Sequence, residues 1–352
     1  MESDQVALQW GMAETPRIDG DPFAIARLSC LHAVRVARDV WIDEEKLQSF
    51  SAQLDLEAVR DVMKGSMGEN CDIMPDHFLD VDGAINFALV FSLLQFGHGF
   101  RYELHRLCGR GASKTVTLGV RNLRSEGPLH ASRLKRTSTT EIRQAFRLPN
   151  NPELEEFVRQ LVTVLHQAGA ILDRLGMNDF AAFCRKVLAT PDGARSPAAT
   201  LVRQLANHFP AFNDQGALHD GSRVVLVKKA TLAVGEIRRL AGHHDPIYTV
   251  SKDFHHAVAA VDNVIPAVLA YHGVLRLSPA LSLAIHEQRT PLERGPTEAE
   301  LRSVALVACE WIVSAVRAAV TSLDLGYYLW RSGKAPGARQ FPRHHTKNTI
   351  FY

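Results

Sequence analysis

The sequence lacks most of the signatures by which an activity is usually read. It contains no Gly-x-Gly-x-x-Gly fingerprint, no P-loop, no His-Glu-x-x-His and no Gly-x-Ser-x-Gly elbow. Those absences remove the commonest dinucleotide, phosphoryl-transfer, zinc and serine-hydrolase readings. Charge of one sign is also missing. Forty basic residues stand against thirty-eight acidic ones, for a formal net charge of +2, and no basic block dominates any stretch, so direct nucleic-acid binding is not expected. Cysteine is sparse: Cys30, Cys71, Cys108, Cys184 and Cys309 are odd in number, widely spread and without a Cys-x-x-Cys pair, which suits reduced thiols rather than a disulfide framework or a metal site. Apolar runs such as Val224 to Val227 and Ile265 to Leu269 are far too short to span a bilayer. The opening residues lack a basic start followed by an apolar stretch, so a secretory signal is not expected and the chain reads as cytoplasmic.

What is present is helical periodicity. With 46% hydrophobic residues in 352, a sizeable core is available. Between 152 and 175, Leu154, Phe157, Val158, Leu161, Leu165, Ala168, Ile171, Leu172 and Leu175 recur at three- and four-residue spacing. Asn151 and Pro152 suit the start of that helix and Gly176 its stop. Further helices are predicted from about Asp21 to Asp39, from Ser196 with Pro197 in its first position, and from Thr297, where Thr-Glu-Ala-Glu reads as a capping box leading into Leu301 to Leu323. Ser222 to Ala241 is read as helix, with a strand alternative at Val224 to Val227. Two segments interrupt the pattern, 108–150 and 331–349. No linker, repeat or low-complexity tract divides the chain. The expectation is an all-α fold: a loosely ordered stretch over 1–20, then one helical domain over 21–352, with residue 150 as the place where two lobes would meet.

A few polar residues stand in apolar settings. Asp262 lies within Ala257-Val-Ala-Ala-Val-Asp-Asn-Val-Ile-Pro-Ala-Val-Leu269. Pro266, four residues on, would open a helix at Asp262 and leave a buried carboxylate beside broken backbone. Alternatively Asp262 caps a helix that begins at Asn263. Lys228-Lys229 ends an apolar run, where a lysine is either desolvated and suited to pairing with a carboxylate or snorkels to solvent. The adjacent pairs His243-His244, His255-His256 and His344-His345 point apart on any regular element and make poor metal sites. In Gln95-Phe-Gly-His-Gly-Phe-Arg101 two glycines around a histidine suggest either a turn shaped around something or a helix stop.

Several segments, read in order, resemble one known family. Ala37-Arg-Asp-Val-Trp-Ile-Asp43, Phe209-Pro-Ala-Phe-Asn-Asp214, Asp220-Gly-x-Arg-Val224, Lys228-Lys-Ala230, Val261-Asp-Asn-Val-Ile-Pro-Ala-Val-Leu-Ala-Tyr-x-Gly273, Tyr327-Tyr-Leu-Trp330 and the closing His-His-Thr-Lys-Asn-Thr-Ile-Phe-Tyr352 are similar, in order and spacing, to motifs of the queuosine salvage proteins, the queuosine 5′-phosphate N-glycosylase/hydrolases. Each motif alone is unspecific, but the ordered set, covering about residues 28 to 352, is strong.

The resemblance implies an all-α fold similar to helix-hairpin-helix DNA glycosylases and cofactor-free hydrolysis of the N-glycosidic bond of a small nucleotide, queuosine 5′-phosphate. It places the catalytic aspartate on Asp262 and its lysine partner on Lys228. A carboxylate there would stabilise the oxocarbenium-like sugar and orient water, and the ammonium would hold it ionised. The same resemblance assigns Lys229, Lys347 and His344 or His345 to the 5′-phosphate, Phe180 and Phe96 to stacking on the base, Val261, Pro266 and Ala267 to its lining, and Asp214 and Glu236 to further substrate contacts. No metal is implied. The sequence departs from the family pattern at Ser92-Leu-Leu-Gln-Phe-Gly-His-Gly99, Thr231, Glu236, Val264, Ala267 and Gly326, which implies a changed base preference. An N-ribohydrolase for another modified nucleotide and a non-catalytic helical binding protein are the two rival readings.

Overall fold

The computed structural model describes residues 16–62, 80–241, 245–287, 291–317 and 320–352. Cys71, His243, His244 and residues 1–15 of the N-terminal stretch lie outside them. Residues 16–20 enter through Ile18, which is buried and exchanges hydrogen bonds with the side chain of Asn207.

The fold is all-α, with two small two-stranded ladders. Its principal helices are α1 (Pro22–Val36), α2 (Val81–Leu93), α3 (Glu155–Arg174), α4 (Phe180–Leu188), α5 (Pro197–His208), α6 (Lys228–Ala241), α7 (Val264–Tyr271), α8 (Pro296–Val316) and α9 (Ser322–Ser332). Local chemistry explains their starts. Asp21, Asp80 and Asp179 accept backbone N–H bonds ahead of α1, α2 and α4, and proline occupies the first turn of α1, α5 and α8. In α3 the predicted apolar face is the buried one, running from Phe157 to Leu172.

The strands β1 (Val40–Ile42) and β4 (Leu275–Leu277) pair antiparallel with Trp41 opposite Arg276. Strands β2 (Gln215–Ala217) and β3 (Arg223–Val225) form a hairpin with Gly216 opposite Val224. One continuous apolar core runs from Ile18 to Tyr352. Helix α8 is its axis, packed by α1, β1, β2, α7 and α9 and buried at every position from Glu298 to Cys309. A helix covered on all sides must satisfy any charge it carries internally.

Four expectations are corrected. The stretch 108–150 is helical, at Ala112–Ser125, Ala131–Leu134 and Thr139–Ala145; its Arg, Ser and Thr residues dress short helices whose apolar stripes are narrow. Thr297 does not cap α8, which begins at Pro296 after an uncapped Gly295. Thr297 Oγ1 instead meets His219 Nε2, and Glu300 accepts from the backbone N–H groups of Arg38, Asp39 and Val40. Nor does that helix reach Leu323: it ends at Val316, Arg317 turns left-handed, and α9 restarts under a Thr321/Asp324 capping box. Finally, Ser222 to Ala241 opens as strand β3 and only then becomes α6.

Candidate active site

The chain reaches Asp262 through a buried, non-helical run from Ala257. Helix α7 begins at Val264, and Asp262 Oδ1 accepts the Val264 N–H at 2.7 Å. Pro266 therefore sits in the first turn, where it costs no hydrogen bond. No helix is broken open at Asp262, and Asp262 is not the N-cap either: Asn263 holds that position without a side-chain cap bond, and Asp262, one residue earlier, closes a two-residue Asx-type turn onto the Val264 N–H. That turn uses one carboxylate oxygen; Oδ2 takes no hydrogen bond among the described residues. Asn263 Nδ2 donates to the His344 carbonyl at 3.0 Å, which fixes the closing segment beside this turn.

Lys228 is the first residue of α6 and is buried. The turn that aims it inward is strained: Val227, a β-branched residue, has φ +44°. Two bonds hold it, from the Leu226 and Val227 N–H groups to the Asp214 carbonyl at 2.9 and 3.2 Å. Burial lowers the Lys228 pKa, and Asp262 is the largest charge acting on it, opposing that shift. The two side chains share one electrostatic neighbourhood without a direct ion pair.

The segments that carry them are joined by Arg302, which sequence reasoning missed. Its guanidinium pairs with both oxygens of Asp214, at 3.1 and 2.5 Å, bonds Glu298 at 3.2 Å, and donates twice to the Val261 carbonyl at 3.2 and 3.0 Å. Its plane lies 4.1 Å from the centre of the Tyr352 ring. The available signal was the trio Glu298, Glu300 and Arg302 inside an otherwise apolar helix. Asp214, expected to touch substrate, gives its carboxylate to Arg302 and its carbonyl to the turn before Lys228.

The Gly-His-Gly turn is shaped around the chain's own closing segment. Gly97 is left-handed (φ +100°), and a Cβ on Gly99 would lie 2.2 Å from the Thr346 carbonyl oxygen. His98 accepts the Thr346 N–H on Nε2 at 3.1 Å, so Nδ1 carries the proton and donates to the main-chain oxygen of Tyr352 at 2.8 Å. Its ring stacks on Tyr352 at 4.3 Å. The Tyr352 hydroxyl donates to Glu298 at 2.6 Å.

The other expected residues divide. Pro266 and Ala267 line a cavity of about 170 Å³ together with Leu301, Phe341, Pro342 and His344; Val261 is buried in the core, and neither it nor Asp262 nor Lys228 lines that cavity. His345 is buried against the Tyr102 ring, and Lys347 reaches Glu103 at 2.5 Å from a partly exposed position. Lys229 is wholly buried: its ammonium donates to the Leu93 and Ile350 carbonyls, each at 2.6 Å, and stands 5.1 Å over the Phe96 ring. Phe180 belongs to an aromatic cluster with Phe209 and Phe212. Glu236 is held by Arg239 one turn on, at 2.7 and 3.0 Å. A larger groove of about 310 Å³, between α3, α4 and α5, is lined by none of these residues.

Among the described residues no cluster of three or more His, Cys, Asp or Glu is placed to hold a metal, and the four described cysteines are free thiols. No single helix there is long and apolar enough to cross a membrane.

The family model described as queuosine salvage protein matches residues 110–352, a span that holds Lys228, Asp262, Asp214 and Arg302 and leaves out Phe96 and His98. A queuosine 5′-phosphate N-glycosylase/hydrolase from Sphaerobacter thermophilus is 29% identical over 158 residues, covering 44% of this chain and 48% of that protein. The chain thus spans about half the length of the curated relative it matches. By the extent of the family match, the chain belongs to the queuosine salvage protein family.

Proposed function

We propose that the protein hydrolyses the N-glycosidic bond of queuosine 5′-phosphate and releases the base queuine, with Asp262 and Lys228 as the catalytic pair. The observation that carries the proposal is a buried carboxylate with one oxygen uncommitted, in the field of a buried lysine, four residues before Pro266 and five before Ala267, which line a cavity that neither Asp262 nor Lys228 itself lines. The relative from Sphaerobacter thermophilus supports the choice of substrate by its name.

In this reading the C1′–N bond breaks with its electron pair passing to the base. Asp262 Oδ2 stabilises the oxocarbenium-like sugar and orients the water whose oxygen joins C1′; the water's proton ends on the departing base. Lys228, as ammonium, holds Asp262 ionised. Val261, Pro266 and Ala267 line the base. Lys347, with His345 beside it, is the cation left for the 5′-phosphate, because Lys229 is committed to two carbonyls. Phe96, Phe180, Asp214 and Glu236 act by holding the walls of the site. Ala267 lines the cavity where the family pattern carries glutamine, so a different modified base is the second reading.

The test is incubation of the purified chain with queuosine 5′-phosphate, queuosine and a panel of nucleotides. Queuine release that vanishes in Asp262→Ala, and falls strongly in Lys228→Ala with the helical circular dichroism retained, is the expected result. Equal release by wild type and Asp262→Ala removes Asp262 from the mechanism. Release of only another base establishes the second reading, and no release from any nucleotide refutes hydrolysis.

A further inference from the structure

We infer that His344 presents Nδ1 to the cavity as a hydrogen-bond acceptor for a donor edge of the substrate base, its tautomer set by a proton chain running through Tyr352 to Glu298. The identity of the substrate rests on the function proposed above; the tautomer does not.

The argument is one of counting protons. The Tyr352 hydroxyl has one, and Glu298 Oε1 stands 2.6 Å away as an acceptor that also receives Arg302 at 3.2 Å. The hydroxyl proton therefore points at Glu298, the competing Thr346 Oγ1 being more distant at 3.4 Å. What remains on the Tyr352 oxygen is a lone pair. His344 Nε2 lies 3.3 Å from it and can use that lone pair only by donating, so the imidazole proton sits on Nε2. Nδ1 is then an acceptor, and it has no partner among the described residues.

The ring is placed for use. His344 lines the cavity with Pro266 and Ala267, and its carbonyl is tied to Asn263, next to Asp262. Burial, with Arg302 and His345 nearby, holds the imidazole pKa down to about 3, so the group stays neutral near pH 7. It is therefore unsuited to the cationic phosphate contact that the resemblance suggested for this pair. An acceptor in a cavity that Pro266, Ala267 and Leu301 line together with the polar Ser282 and His286 recognises a planar base that offers N–H groups at its edge, such as the aminopyrimidinone face of a deazaguanine, and disfavours one that offers only acceptors there.

Nitrogen-15 NMR of the histidine-labelled chain at pH 6 tests the tautomer without any turnover. Neutral Nε2–H at His344, giving way to Nδ1–H in Tyr352→Phe, is expected; an imidazolium or a wild-type Nδ1–H form overturns the inference. Steady-state kinetics test the use. His344→Leu should raise KM for queuosine 5′-phosphate by about tenfold, the worth of one buried hydrogen bond, with kcat little changed. His344→Asn, whose amide oxygen can replace Nδ1, should recover most of the loss. An unchanged KM in His344→Leu overturns the substrate contact. Should the wild type hydrolyse nothing, the same variants are read by calorimetric binding of queuine, so failure of the proposed reaction and failure of this contact remain distinct.

Discussion

Asp214 and Arg302 form a buried bidentate ion pair, at 3.1 and 2.5 Å, that ties together the two chain segments carrying Lys228 and Asp262. On one side the Asp214 carbonyl receives the Leu226 and Val227 N–H groups, immediately before Lys228. On the other, Arg302 grips the Val261 carbonyl, immediately before Asp262. Residues thirty-four positions apart in sequence are thereby held to one geometry by a single guanidinium.

Removing Arg302 leaves two buried carboxylates uncompensated, which costs about 3–5 kcal/mol, whereas removing the Asp214 charge leaves Arg302 paired with Glu298 and costs less. Asp214→Asn and Arg302→Met should each lower the urea midpoint accordingly. Arg302→Met should be the worse, since it strands both Asp214 and Glu298. A double variant that loses no more than Arg302→Met alone would show the coupling; additive losses would refute it.

Asp262 does two things that substitution can separate. In the turn before α7 it accepts the Val264 N–H; as a carboxylate it carries charge. Asp262→Asn keeps an acceptor oxygen and should unfold near the wild-type midpoint while losing queuine release. Asp262→Ala should lose activity equally and also about 1 kcal/mol of stability, the worth of one hydrogen bond. Destabilisation of equal size in both variants would argue against a structural role for that bond.

Lys228 supplies a pH limit. Burial lowers its pKa below the ordinary lysine value of 10.5, while Asp262 raises it. In the proposed mechanism the ammonium is the active form, so activity should fall as pH rises through that lowered pKa, earlier on the alkaline side than an exposed lysine would allow. In Asp262→Asn the supporting charge is gone and the Lys228 pKa should drop further, measurable as a displaced lysine titration by NMR. An unmoved titration would separate the two residues.

Gly99 is where the closing segment meets the body of the fold. A Cβ there would lie 2.2 Å from the Thr346 carbonyl oxygen, a backbone atom with no rotamer by which to yield. Gly99→Ala should cost about 1–3 kcal/mol and raise amide exchange selectively over residues 345–352. Uniform exchange through the whole chain would show instead a global loss.

The sequence carried α3 and its apolar face, because twenty residues of period 3.6 outweigh local noise; Asn151, expected as its cap, instead caps a short 3-10 turn at Pro152–Leu154 that leads into it. It also marked Asp262 and Lys228, polar residues in apolar runs. It concealed Arg302, since Glu298, Glu300 and Arg302 in a helix read as a solvated face until neighbours cover that helix on every side. Thr297 followed a capping-box spelling, yet Glu300 had a better use holding three backbone N–H groups beside β1. The helices between 108 and 150 escaped because they are short and their Arg, Ser and Thr residues resemble a loop. In each case a tertiary partner decided what the local pattern left open.

Acid should destabilise the protein from about pH 6.5 downward, and His344 gives the reason. Its folded pKa is depressed to about 3 by burial, and that of His98, stacked on the same Tyr352 ring, is also well below 6.5. The unfolded chain therefore binds protons at these sites first. Their contribution to stability is whole above the unfolded value near 6.5 and is lost as pH falls toward the folded one. For His344 the loss between pH 7 and pH 4 is roughly 3 kcal/mol. Carboxylates add their own acid dependence, so the comparison that isolates the imidazole is with His344→Asn, which cannot titrate in this range. Urea unfolding of both proteins at pH 7 and pH 4 should show the wild type losing more stability than the variant; equal losses would mean that His344 titrates in the folded protein as it does in the unfolded chain, and that burial does not hold the ring neutral.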